Sequence, residues 1–257
     1  MNLLDLTILG PAMIAGIIVA VTHVPLGRQV LVRGIIFLDL AVAQIAGLGA
    51  TAASVFFHEP SMLIVQVSTF TGALVGSFLL YQMEQRWAEI QEALIGSIFV
   101  IAASLNILLL AHDPHGGEQL QSLLAGQILW VGSEQLAIAG LMSLVVLLIW
   151  NFARKKIGGV LFYLAFSLAV TTSVQLVGVY LVFASLILPA LASRHTSLVW
   201  GFAVALSGYG VGLVGSALFD TPAGPMIVLS IAFCSFIPFL LSGNKLLAVK
   251  KPEGTGN

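Results

Sequence analysis

Residues 160–192 read VLFYLAFSLAVTTSVQLVGVYLVFASLILPALA, 33 apolar-rich positions without one Asp, Glu, Lys or Arg. A bilayer-crossing helix needs about 20 such residues, so this run is too long for one ordinary span and short for two. Two readings fit it: a tight hairpin that crosses twice, or a span followed by a half-helix, with Thr171, Thr172, Ser173 and Gln175 near the break. The choice fixes the number of crossings and the side on which everything downstream lies.

The rest of the chain has the same character. It is 59% hydrophobic and only 8% charged over 257 residues, with a mean hydropathy of +1.06. Soluble domains carry about 25% charged residues, so the composition specifies an integral membrane protein. Apolar stretches run roughly over 8–24, 30–57, 62–83, 93–111 and 136–152, then the long run, then 198–219 and 226–241. Hydrocarbon cannot satisfy a lone peptide group, and no ~10-residue alternating strands are present, so the expected fold is all-α. That is a polytopic bundle of eight or nine transmembrane helices, one of them re-entrant or half-length. Residues 1–244 are expected to form one transmembrane domain, and 245–257 a short cytoplasmic tail. The opening MNLLDLTILG lacks the basic segment of a cleaved signal, which predicts a retained first span.

Basic residues orient the bundle. Arg28 and Arg33 follow the first span, Arg86 the third, and Arg154, Lys155 and Lys156 the fifth; Arg194 follows the long run, and Lys245, Lys250 and Lys251 lie in the tail. If the long run crosses twice, all ten fall on the cytoplasmic side of the inner membrane, together with the C-terminus. The opposite gaps hold acids and histidines instead, in FHEP (57–60), AHDPHGGEQ (111–119) and FDTPAGP (219–225).

Cys234 is the only cysteine, which excludes disulfides and multi-cysteine metal sites within the chain. The glycine-rich GYGVGLVG of 208–215 lies inside a span and has no lysine, so it is not a phosphate loop. It reads as close helix packing. An enzyme is not expected, since no acid–histidine or serine–histidine constellation lies within the spans. Nothing points to nucleic acid.

Two polar groups of residues remain as candidate sites. FLDLAVAQIAG (37–47) places Asp39 and Gln44 in an apolar helix. A carboxylate at that depth costs about 3 kcal/mol on insertion scales. It is there either to handle an ion or proton, or as an acid paired near the boundary, where Arg33 is six positions away. Gln44 is read as an ion contact or an interhelical hydrogen bond. The second group is His112, Asp113, His115 and Glu118, imidazoles and carboxylates able to hold a divalent ion loosely at the external mouth. His58 and Glu59 are possible additions to it. His23 and His195 are read as structural.

Three blocks resemble the permease subunits of zinc/manganese ABC importers, the ABC-3 metal permease family. They are PLGRQVLVRGIIFLDLAVAQIAGLG (25–49), VQLVGVYLVFASLILPALAS (174–193) with Gly178, Pro189 and Ala190 at marked positions, and ALFDTPAGPMIVL (217–229) with Asp220, Pro222, Gly224 and Pro225 in an Asp-x-Pro-x-Gly-Pro turn. The resemblance implies a homodimeric permease in the membrane lipid, with two ATPase subunits on the cytoplasmic face and an external metal-binding protein. Metal would pass along the dimer interface, and the divalent metal would be substrate, with no permanently bound cofactor. Two departures stand out. Gln44 takes a position where relatives have histidine, with Asp39 five residues away instead of four, and Val100 takes that of a second histidine. The cytoplasmic gap 151–160, NFARKKIGGV, is short for a docking helix. YQMEQRWAEIQEA (81–93) is the other candidate, either a short amphipathic helix or a plain connector, so the expected contacts to a cytoplasmic partner are Arg86, Trp87, Arg154, Lys155 and Lys156. Two further functions fit the same residues: a gradient-driven carrier without an ATPase, and a non-transporting membrane subunit of a metal-responsive assembly.

Overall fold

A computed structural model describes residues 6–57, 60–111, 113–153 and 159–241. Ten α-helices make up the described chain: α1 (Leu6–Arg33), α2 (Leu38–Phe56), α3 (Met62–Arg86), α4 (Gln91–Leu110), α5 (Gly116–Ala125), α6 (Ser133–Ala153), α7 (Val160–Val177), α8 (Val179–Ala192), α9 (Leu198–Phe219) and α10 (Ala223–Leu241). No strand occurs among the described residues. Seven helices, α1–α4, α6, α7 and α9, are long and apolar enough to cross a bilayer, and α8 and α10 are shorter apolar segments. The expected eight to nine crossings are therefore seven full-length helices and two shorter ones.

The long run breaks at Gly178, where φ is +81° and ψ is 163°. That conformation is essentially glycine-only, and here it reverses the chain. The start of α7 lies beside the end of α1, with Arg33 Cζ 4.3 Å from the Phe162 ring centre. The end of α7 lies beside the start of α3, where Gln66 Nε2 donates to Gln175 Oε1 at 3.1 Å. Along α8 the chain returns, so that Leu186 and Ala190 pack against Gly27 of α1. The hairpin reading holds, and α8 is its short arm: 14 residues rise about 21 Å. Gly178 closes on Gly126, which also has positive φ, after α5.

Two boundaries differ from the apolar pattern. The first helix does not stop at Val24; it continues through Pro25 to Arg33, since Ala20, Val24, Leu26, Gly27 and Val30 are all buried and packing outweighs the lost hydrogen bond. The run 30–57 is divided instead at Gly34, in a left-handed turn with φ +72°. Between α3 and α4 there is no separate amphipathic helix: α3 persists to Arg86, and one 3-10 turn, Ala88–Ile90, leads into α4. Arg86 and Trp87 are exposed on that turn. Arg154, Lys155, Lys156, His58, Glu59, His112 and the tail 245–257 lie outside the described residues.

The core joins α1, α2, α7, α8 and α10. Gly208 and Gly212 of α9 admit Ile231 and Ile227 of α10, which is the packing role expected of that glycine-rich stretch. The FDTPAGP turn is also architectural. Asp220 caps α9 in the left-handed region at φ 50°, Ser216 Oγ donates to the Thr221 carbonyl, and Gly224 sits against the Ala125 carbonyl. The described arginines Arg28, Arg33, Arg86 and Arg194 gather at one end of the bundle, the basic end.

Candidate functional site

At the end opposite the arginines, α2, α3, α5 and α7 enclose an open vestibule of about 690 Å³. Its polar lining includes Gln66 and Thr69 of α3, Glu118 and Gln119 of α5, and Thr171 and Gln175 of α7. Amides and hydroxyls dominate. Such groups present oxygen ligands without fixed charge, a surface that lets a cation approach while holding it weakly. Thr171 is buried, and its Oγ has no hydrogen-bond partner in the described structure.

Glu118 is the only carboxylate on the described vestibule lining, and it lies at the rim with the loop that precedes α5. His115 Nδ1 is 3.7 Å from Glu118 Oε2, both side chains being highly exposed. Asp113 is otherwise engaged: its Oδ1 accepts from the His115 backbone N–H at 2.8 Å and its Oδ2 from Gln119 Nε2 at 3.0 Å. Asp113 thereby orders the start of α5. No cluster of three His, Cys, Asp or Glu suited to a metal ion is formed among the described residues.

Asp39 and Gln44 are both buried but face different surroundings. Asp39 precedes Ala46 by seven residues and Ala50 by eleven, so all three share one face of α2. Ala46 and Ala50 line the vestibule, which puts Asp39 about 10 Å farther along that face toward the basic end. It is 1% exposed, and neither carboxylate oxygen has a hydrogen-bond partner among the described residues. The pairing with Arg33 is not made. Arg33 Nη1 instead donates to Glu84 Oε1 at 3.0 Å.

Gln44 makes the interhelical bond. Asn106 Nδ2 of α4 donates to the Gln44 carbonyl at 3.1 Å and reaches Gln44 Oε1 at 3.4 Å. On its open side Gln44 lines a second cavity of about 680 Å³ between α2, α4, α8 and α10, walled by Leu40, Phe183, Leu188, Val228 and Leu229. The helix α2 thus separates a polar vestibule from an apolar groove. Val100, set in place of a second histidine by the resemblance, is exposed on α4. That helix instead buries Gln91 at its start and Asn106 in its second half, and sequence reasoning passed over Asn106. Its isolation in the run IAASLNILLL was the available signal.

The basic end is tied shut by polar contacts between five helices. Arg33–Glu84 joins α1 to α3, and the Arg33 guanidinium stacks on Phe162 of α7. Gln91 Nε2 of α4 donates to Tyr163 Oη at 2.7 Å, Tyr81 meets Tyr163 edge-on, and Glu92 Oε1 accepts from the Phe37 N–H at 3.2 Å. Arg33 and the 81–93 segment stood out in the sequence as a boundary cation and a cytoplasmic connector, whereas their partners Phe37, Phe162 and Tyr163 did not, because each looks like an ordinary boundary residue until the helices meet. His23 is buried with Nδ1 3.0 Å from the Val19 carbonyl, whereas His195 is exposed and its Nε2 accepts from Arg194 Nε.

This arrangement is a polar chamber that opens at one end of a membrane bundle and is closed by a charged tie at the other. The sequence profile of the ABC 3 transport family matches residues 5–163 and 156–242. The chain belongs to the ABC 3 transport family. A similar protein is the high-affinity zinc uptake system membrane protein ZnuB of Haemophilus influenzae, 26% identical over 91% of this chain and 96% of the relative. The manganese transport system membrane protein MntC of Bacillus subtilis is 23% identical over 88% of the chain, which spans 59% of that longer relative. Among solved structures, PsaBC from Streptococcus pneumoniae in complex with Fab has the same fold, with a TM-score of 0.70 over 90% of both chains and 22% identity. As an ABC 3 family member, the protein is a polytopic membrane transport component. The expected family resemblance is borne out, and so is the helical membrane fold.

Proposed function

We propose that this protein is the permease subunit of an importer for a divalent metal ion of the zinc or manganese class, working with a separate ATPase. The family match along nearly the whole chain carries the reading. The named metals of its relatives, zinc for one and manganese for the other, support the substrate class. The positive-inside rule makes the basic end cytoplasmic. With the chain reversing at Gly178, the C-terminus is then cytoplasmic too, and the vestibule faces outward toward an external metal-binding protein.

Each side of α2 has a separate role in this reading. The vestibule receives the ion, with His115 and Glu118 at its rim and Gln66, Thr69, Thr171 and Gln175 along its wall. Asp39, one helical face below, is the next acidic group on the route and the closed basic end is the gate. Oxygen ligands hold zinc less firmly than imidazole or thiolate. Weak holding favours passage over storage. The apolar groove beside Gln44 is the face for a second copy of the chain, so that the permease is a homodimer. Arg86 and Trp87, exposed at the basic end, contact the ATPase; Arg154, Lys155 and Lys156 continue as sequence candidates for the same contact.

Purification of the tagged protein from native membranes in mild detergent, with mass spectrometry of what accompanies it, tests the assembly. The expected result is two copies of the chain with stoichiometric ATPase. Recovery of the chain alone would reject ATP coupling and leave the gradient-driven carrier.

A further inference from the structure

The basic end carries a concave feature of its own, apart from the vestibule. Both α6 and α9 pack on α1, and between them lies a groove of about 900 Å³. Its floor is one stripe of α1, Val21, Pro25, Arg28 and Val32, at the spacing of a single helical face. Trp150 of α6 and Phe202 of α9 form walls. The stripe carries its one charge at Arg28, with Pro25 and Val21 apolar farther in, and it rises about 16 Å from Val21 to Val32.

The two arginines on the groove differ. Arg33 is committed to Glu84 and Phe162. Arg28 is half-buried and has no ion pair among the described residues, and the lining beside it offers the Gln29 amide and Arg33 but no carboxylate. Around the groove, Val32, Val199, Leu144 and Leu148 are exposed apolar side chains on α1, α9 and α6, so the groove opens on the surface that meets lipid. A half-buried guanidinium without a counter-charge calls for an anion. An apolar slot running away from it calls for a hydrocarbon chain. One molecule class has both parts in that order.

We propose that the α1–α6–α9 groove is a binding site for an anionic phospholipid of the cytoplasmic leaflet, its headgroup phosphate on Arg28 and an acyl chain along Val21 and Phe202. Basic pockets between helices on the cytoplasmic side are suited to such headgroups, and Trp150 sits where an interfacial indole is favoured. Arg28 is then a lipid ligand, separate from the ion route through α2, α3 and α7. The site stands whether or not the ATPase assignment does.

The test compares purified protein in nanodiscs of phosphatidylcholine with and without phosphatidylglycerol, followed by thermal melting and by native mass spectrometry of retained lipid. Wild-type protein is expected to melt higher with phosphatidylglycerol by on the order of 5 °C and to retain it in preference to phosphatidylcholine. Arg28→Gln loses both effects, Arg28→Lys keeps part of them, and Arg194→Gln, at the same end but outside the groove, keeps them fully. Equal behaviour of wild-type and Arg28→Gln overturns the proposal. So does an equal loss in Arg194→Gln, which would report bulk surface charge, and so does the same stabilisation by inorganic phosphate. If Arg28→Gln cannot be purified, absence of a lipid preference in the wild-type protein refutes the site by itself.

Discussion

Replacing Gly178 with alanine tests the hairpin on which the topology depends. At φ +81° and ψ 163° an L-residue is strained by about 1–3 kcal/mol. The added Cβ would collide with the Gly126 backbone nitrogen and lie 2.7 Å from the Ala125 carbonyl carbon. Both are main-chain atoms and cannot rotate away, and forced overpacking of this kind costs about another 1–3 kcal/mol. The combined loss is roughly 2–6 kcal/mol, or on the order of 10 °C in Tm for a chain of this size. Gly96→Ala is the matched control, because nothing lies within 4 Å of a Cβ there. Alanine in that helix interior is neutral or favourable by up to about 1 kcal/mol. Melting in detergent, read from tryptophan fluorescence, should separate the two variants widely. If Gly178→Ala melts within about 2 °C of Gly96→Ala, the tight reversal against Gly126 is wrong and α7 and α8 are joined differently.

Three other substitutions address the site. Asn106→Ala removes the donor to the Gln44 carbonyl inside the core and should cost about 2–3 kcal/mol; an unchanged Tm in that variant would disprove the bond. Glu84→Gln leaves the Arg33 guanidinium without its carboxylate and should cost about 1–2 kcal/mol, with a coupling of about 1 kcal/mol to Arg33→Gln in a double-mutant cycle; zero coupling would refute the tie. Asp39→Asn should fold with an undiminished Tm, since neither oxygen has a partner to lose, yet lower metal uptake at least roughly tenfold, equivalent to about 1.4 kcal/mol on the ion's path. Full uptake in that variant removes Asp39 from the route.

The membrane bundle was legible because burial in lipid requires long apolar runs and leaves charge only at their ends. The break at Gly178 was legible as a choice between two shapes, and only the contacts of Val177 with Gly126 and of Leu186 with Gly27 decide it. Pro25 concealed the true length of α1, because packing on both sides of a proline cannot be read from its neighbours. Polar partners were the least visible. Asp39 is six residues from Arg33 in sequence, whereas Glu84, 51 residues away, takes the guanidinium. The Gln44–Asn106 bond likewise joins positions 62 apart. Both partner choices are made by helix packing, which the order of residues does not display. The vestibule glutamines come from α3, α5, α6, α7 and the turn after α5, and no local pattern unites them.

The central claim is that this chain carries a divalent metal inward at the expense of ATP. Uptake of radioactive zinc and manganese by cells deleted for the gene, and by the same cells carrying it back, tests that most directly. The expected result is uptake of one of the two metals that falls on deletion, returns with the wild-type gene, and stops when ATP is depleted while the membrane potential is held. Uptake unchanged by deletion, or persisting without ATP, would contradict it.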